Sequence, residues 1–476
     1  MMSLIKFNLL ILEMIFVDSK RIGLRNMTLF FIGKLISVLG SSMFTFVAGL
    51  TILKMTGSGS NFAISLICGT LPRILMAPFA GIIADRMNRR ALLIASDIAG
   101  VAVMLLTFAS IILAPGSLLP IYISLALLSI CSTFYSVAVS SSLMMLVDKE
   151  QIQRAGSLNQ IASSSGNILA PVLGGILYAY LPLSIFTLIN GAAFVVSTIV
   201  SVMLVFKPRT VEASQVTHAE VNGNESGAPA SETTGASSGK PSSIRQTIAA
   251  IKSDLRSGFR YVRSKPAVST LIQLVFWINF FTASLGVLLP FVLVQTLKLP
   301  SEQFGTVEAM EAVGVLLMSL IMTIRKQSKD HVRPMTIGLY MLSALLIAVA
   351  IPLFFSLSRD AIFVYYMAIM LLIGFSIIIV NIPISVFMQT TIDEEYRGRV
   401  FGLLDTFAGA IVPLGMLIVG YLVDLVPIWI LPIVSGLAVA SITLIGHRRL
   451  RAASGNNKQE NGAGAAGIVR SGEVGV

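Results

Sequence analysis

The 476-residue chain has little of what a soluble catalyst needs. Only 12% of its residues are charged, against roughly a quarter in soluble domains. Its two cysteines, Cys68 and Cys131, both fall inside apolar stretches, which excludes a disulfide framework and a thiolate metal site. The three histidines, His218, His331 and His447, are scattered over a polar segment, a loop and the C-terminal tail. No set of acids, bases or nucleophiles converges. No Gly-rich loop ending in Lys-Ser/Thr is present to cradle nucleotide phosphates. An enzyme, a resident metal or cofactor and direct use of ATP are therefore not expected.

What the chain has instead is long apolar runs, with 55% hydrophobic residues overall. Runs lie at about 27–53, 59–83, 91–113, 118–146, 157–180 and 183–206, and again at 267–297, 304–324, 334–356, 361–390, 399–424 and 427–446. Each is long enough to cross a bilayer, which takes about 20 apolar residues. The fold class is all-α and membrane-integral: twelve transmembrane helices in two six-helix bundles, residues 27–206 and 266–447. Residues 207–243 are rich in Ser, Ala, Gly, Thr and Glu and cannot bury a core, so they read as a flexible linker. In 244–265, Ile244, Ile248, Ile251, Leu255, Phe259 and Val262 recur at helical spacing with basic residues between them. That pattern predicts a helix lying on the membrane surface. Residues 1–26 are apolar but broken by Lys6, Asn8 and Glu13, an interfacial segment or an extension upstream of a start at Met27. The glycine-rich tail, 448–476, is expected to be disordered.

The net charge of +11 follows topology rather than a nucleic-acid face. Lys54, Lys298 and Arg359 fall on one side and Lys34 and Arg73 at membrane depth, which leaves the rest of the 34 basic residues on the other. By the positive-inside rule both termini are cytoplasmic, and the expected location is the plasma membrane. The halves also repeat. Asp148, Arg154 and Gly175 stand at one common offset, 245 residues, from Asp393, Arg399 and Gly420.

Between the second and third runs lies Gly81-Ile82-Ile83-Ala84-Asp85-Arg86-Met87-Asn88-Arg89-Arg90. The order G-x-x-x-D-R-x-x-R-R resembles the loop signature of the major facilitator superfamily of secondary transporters. In the fifth run, Gly166, Ala170 and Gly174 make a small-residue face, Pro171 removes a backbone donor, and Gly175 follows. The order G-x-x-x-A-P-x-x-G-G resembles the motif of exporters in that superfamily, with Ala170 in place of a more usual Gly. The segments from Asp254 to Val262 and from Asn381 to Gly402 are similar to the branch of enterobactin and macrolide exporters. Two departures are the missing prolines near Ile392 and Val137.

That resemblance implies a monomeric, proton-coupled exporter of hydrophobic or amphipathic small molecules, moved by alternating access between the two bundles. Its partners are then the substrate, protons and the lipid bilayer. An exporter of one endogenous metabolite, such as a siderophore, is the alternative, with Arg73 binding an anion. A transport-inactive scaffold or sensor is the alternative of another class. The loops around Asp85 and Arg397 would shut the cytoplasmic gate, with Gly81, Arg86, Arg89, Arg90 and Arg399 in the same latch. Charges at membrane depth are costly unless paired or hydrated, so each is a candidate site. Asp97 and Asp405 lie about 9 Å from the cytoplasmic end at 1.5 Å per residue and could join the latch or carry the proton. Glu308 and Glu311, one turn apart, could exchange a proton or meet a cationic group. Lys34 is close enough to the cytoplasmic end to snorkel, and the many Met and Phe residues suit an adaptable apolar cavity. The energy source is the proton gradient, about 2.3 kcal/mol per charge per 100 mV.

Overall fold

With no water in the hydrocarbon to satisfy backbone N–H and C=O groups, each apolar run is stable there only as a helix. A computed structural model describes residues 2–146, 151–204, 256–324, 330 and 332–471. Twelve of its helices are long and apolar enough to cross a membrane. In the first half these are α1 (Met2–Thr56), α2 (Gly59–Arg86), α3 (Arg89–Leu113), α4 (Leu119–Leu146), α5 (Ile152–Tyr180) and α6 (Leu183–Met203). A short helix, α7 (256–264), leads into the second half. That half contains α8 (Pro266–Ala283), α9 (Leu285–Pro290), α10 (Ser301–Ile324), α11 (Val332–Ala348), α12 (Arg359–Thr391), α13 (Glu394–Leu425) and α14 (Ile430–Ser471). Within the first half α1 packs on α5 and α6, α3 on α4 and α6, and α2 on α4. In the second, α10 packs on α12, α11 on α12 and α14, and α8 on α13 and α14. Across the halves the main pairings are α2 with α13 and α5 with α10.

Three segments differ from expectation. The segment expected to stand apart at residues 1–26 continues the helix of the first span, since no proline interrupts it. The tail expected to be disordered from 448 stays helical to Ser471, with no proline beyond Pro432 to stop it. The seventh span is not one helix. It comprises α8, α9 and a π-helical turn, Phe291–Thr296. Pro290 brings no N–H to the ladder, and the chain beyond it rejoins through wider bonds, Leu297 N–H to the Val292 carbonyl at 2.8 Å and Leu299 N–H to that of Leu293 at 2.8 Å. The linker 207–243 and the surface-helix residues 244–255 lie outside the described residues.

Of that surface helix, α7 is clamped to the start of α13. Tyr261 stacks on Tyr396 with ring centroids 4.5 Å apart, and its hydroxyl accepts the Asp393 N–H at 3.0 Å. Lys265 reaches the Asp393 carboxylate at 3.8 Å. A side chain on Gly258 would meet Leu403 at 2.8 Å and the Arg399 carbonyl oxygen at 3.3 Å. The described part of the helix is therefore a strap on the second bundle.

Candidate translocation cavity

The described contacts between the halves gather at one end. Asp424, in the last turn of α13, accepts four bonds from the start of α2: from Gly59 N–H at 2.7 Å, Ser60 N–H at 3.0 Å, Ser58 Oγ at 2.8 Å and Ser60 Oγ at 2.6 Å. A carboxylate there meets the unsatisfied donors and positive dipole end of a helix. Lys54 Nζ donates to Ser301 Oγ at 2.5 Å, and Gln295 Nε2 to the Leu53 carbonyl at 2.5 Å. Phe46 stacks on Phe304 at 5.4 Å. Small residues make the closest approaches. A Cβ on Gly305 would overlap the Pro171 carbonyl, one on Gly175 would lie 2.5 Å from the Ser301 carbonyl oxygen, and one on Gly420 would overlap Ala63. The second half's buried apolar cluster takes in only Leu50, Leu53, Phe62 and Ala63 from the first half, all from this end.

The opposite end, which carries the basic 2–3 loop, stands apart. A side-chain carbon at Gly81, Gly398, Gly402 or Gly409 would meet nothing within 4 Å. Gly81 and Gly398, beside the expected gate residues Asp85 and Arg397, therefore make no close contact across the halves in this conformation. The side chains of Asp85, Arg86 and Asp405 lie outside the described part of the structure. Arg89 donates to the Ser141 carbonyl at 2.5 Å and Arg90 to that of Val202 at 2.6 Å. Both arginines brace the C-terminal carbonyls of α4 and α6, their own bundle, where the helix dipole favours a cation. Arg397 keeps a buried Nε without a described partner, and Arg399 lies 5.7 Å from the Tyr396 ring centroid.

Between the halves is a cavity of about 540 Å³. Its walls come from α1, α2, α4 and α5 on one side, with Gly286, Pro290, Phe304, Glu308 and Met416 on the other. Abundant Met and Phe had suggested an apolar wall. Phe46, Phe62, Phe304 and Met416 do line it with several aliphatic residues, and eight Ser and Thr residues stand among them. Serine and threonine hide in transmembrane helices by bonding back to the preceding turn, as Thr45 does to the Ser41 carbonyl at 2.9 Å and Thr70 to that of Leu66 at 2.9 Å.

Three charged side chains reach the cavity: Lys34, Arg73 and Glu308. Lys34 does not snorkel to the interface. It is 5% exposed, with Nζ 5.4 Å from the Tyr135 ring centroid, because α4 and α6 close over that part of α1. The partners described for Asp97, expected near the loop latch, are on α6 instead. Asp97 is buried among α6 side chains, and its Oδ2 accepts from Ser197 Oγ at 2.9 Å and Ser201 Oγ at 3.1 Å. Lys34 and Asp97 sense each other's charge without direct contact among the described ion pairs. Glu308 and Glu311 also interact electrostatically, and of the two only Glu308 is in the cavity lining. Glu308 lines the cavity with a buried Oε2 that has no hydrogen-bond partner. The Glu311 backbone packs against Gly374 of α12.

The small-residue motif of α5 serves two interfaces. Gly166 abuts Val38 (2.7 Å to an added Cβ) and Gly174 abuts Phe46 (3.0 Å), both on α1, with Ala170 buried on the same face. Pro171 and Gly175 face α10 across the halves. Sequence reasoning missed Asp424 and the role of Lys34. Ser58-x-Ser60 before an apolar run was a readable cap signal, but its partner on α13 was not.

Comparisons with known proteins agree with this architecture. Residues 30–416 match the family model of the Major Facilitator Superfamily. The MFS-type transporter YfiS of Bacillus subtilis (strain 168) is 24% identical over 406 residues, covering 84% of this chain and 88% of that protein. Macrolide efflux protein A of Streptococcus pyogenes is 22% identical over 419 residues, covering 87% and 93%. Among solved structures, a bacterial homologue of the iron transporter ferroportin in an inward-facing state superposes with a TM-score of 0.61 at 15% identity, covering 89% of this chain and 99% of that one. A mutant of the nucleoside transporter NupG gives 0.60 at 12% identity, covering 90% and 99%. With its twelve spans, paired halves and matching family model, the chain belongs to the Major Facilitator Superfamily.

Proposed function

We propose that this transporter is a proton-coupled exporter of amphipathic small molecules, working as a monomer in the plasma membrane by alternating access. The carrying observation is Glu308, a carboxylate lining the central cavity with one buried, unpartnered oxygen. A charge in that position is costly unless it is neutralised. A proton or a substrate cation relieves it, and competition between the two is the simplest antiport. The α5 motif and the similarity to macrolide efflux proteins support the outward direction. The excess of basic residues on the 2–3 loop side supports a cytoplasmic placing of that end, which makes the described conformation inward-open. Asp97 is the second candidate for the proton, and Asp85 with Arg397 the candidate latch of the opposite state.

The test is substrate-driven proton movement in inverted membrane vesicles across a panel of dyes and macrolides. We expect release to the exterior by the parent and loss of at least about tenfold in Glu308→Gln, since neutralising the carrier removes the exchangeable charge. Undiminished release by Glu308→Gln would remove Glu308 from the coupling. No proton movement with any substrate that is itself transported would remove proton coupling altogether.

A further inference from the structure

The first-half wall of the cavity carries more positive charge than its own carboxylate can neutralise. Lys34 on α1 and Arg73 on α2 both line it, and each lies within electrostatic reach of the other. Asp97 is the one described acid acting on Lys34, and its Oδ2 is already held by Ser197 and Ser201. Arg73 has no described hydrogen bond or ion pair and is exposed to the cavity. From α4, Tyr135 faces Lys34, and Tyr135 and Cys131 both lie within electrostatic reach of Asp97; both are neutral in ordinary conditions. Glu308 is the other acid of the cavity. Counted along the helices from the closed end, it lies about 10 Å from the level of Arg73 at 1.5 Å per residue, too far for direct pairing. Two like charges within electrostatic reach of each other at membrane depth, with Asp97 already held by its serines and Glu308 at another level, are held at a cost. An anion between them would remove it. The guanidinium supplies a planar donor pair for a carboxylate or phosphate and the ammonium a point charge. Hydroxyls at Ser132 and Ser136 also line the cavity and can donate to the remaining oxygens.

We infer that Lys34 and Arg73 form an anion subsite, so that the transported molecule carries a carboxylate or phosphate on an amphipathic body. This rests on the proposal that the cavity carries substrate. The subsite stands or falls by binding, whereas that proposal stands or falls by transport.

The probe pair is rhodamine 110, which has a free carboxylate, and its methyl ester rhodamine 123, which differs in that group alone. Binding to the purified full chain is read by fluorescence anisotropy. Rhodamine 110 should bind more tightly than its ester. Lys34→Gln and Arg73→Gln should each weaken it by about tenfold, as expected for loss of a charged hydrogen bond, and leave the ester within twofold. Arg73→Lys and Lys34→Arg, which keep the charge, should retain most of the preference, and this separates loss of the subsite from misfolding. Equal affinity of the two dyes for the parent would overturn the inference. So would a uniform loss of both dyes in Arg73→Gln, or displacement of rhodamine 110 by phosphatidylglycerol with the same sensitivity to Arg73→Gln, which would assign the site to a lipid headgroup. Dye binding without any transport would leave the subsite intact and defeat the exporter reading.

Discussion

The described charged side chains in and beside the membrane divide by what they touch. Arg89 and Arg90 are satisfied by helix-end carbonyls and Asp97 by two serines. Glu308 and Arg73 are left over, and both face the cavity. A structural charge is paired inside its bundle, whereas a working one is held unpaired for a transient partner. Asp424 is a third kind, paired across the halves and so dependent on the conformation. Replacing it with Ala removes four acceptor contacts from the start of α2. A lost helix cap costs about 1–2 kcal/mol, so the closed end should open about tenfold more often. The rate of maleimide labelling of a cysteine at Ser301 should rise accordingly, and an unchanged rate would mean that Phe46–Phe304 and the glycine contacts hold that end without it. The sequence marked Asp97, Glu308 and Arg73 as charges out of place. It placed Lys34 at membrane depth but expected it to snorkel, because whether a lysine near a helix end snorkels or is roofed over depends on neighbours that are distant in sequence.

At the scale of elements, the positions of the spans were legible to within a few residues, since a bilayer requires a contiguous apolar run and nothing else in the chain supplies one. The small-residue motif of α5 was legible as a packing face. Its division between α1 and α10 was not, since a glycine pattern names no partner. The break at Pro290 was hidden because a membrane helix tolerates a proline wherever neighbours donate to the freed carbonyls. The α5–α10 crossing gives a direct prediction. Gly305 has the Pro171 carbonyl where a side chain would be, and overpacking costs about 1–3 kcal/mol. Gly305→Leu should fold, because the contact lies between the halves rather than within either, but it should favour the state with that end apart. Efflux of a transported dye should fall by about tenfold or more at near-normal protein levels in the membrane. Full activity would show that the crossing can widen without cost.

For the whole molecule, the conformational state is the feature that sequence cannot carry, since the same hydrophobic pattern and the same motifs serve every state of the cycle. The structure is shut at the Asp424 end and apart at the basic end, with the cavity between them. Strapping α7 to the start of α13 through Tyr261, Tyr396 and Lys265 ties the polar region before the second half to the moving end. If the halves rock about the cavity, closing one end must open the other.

Two distances measured in the same protein test this most directly. With Cys68 and Cys131 replaced by Ser, one spin-label pair at Met87 and Gly398 reports the open end, and a second at Gly57 and Lys298 reports the closed end. On addition of a transported substrate in lipid, the first distance should shorten as the second lengthens, and Glu308→Gln should shift the balance between the two populations. Distances that stay fixed, or that change in the same direction, would contradict alternating access about this cavity.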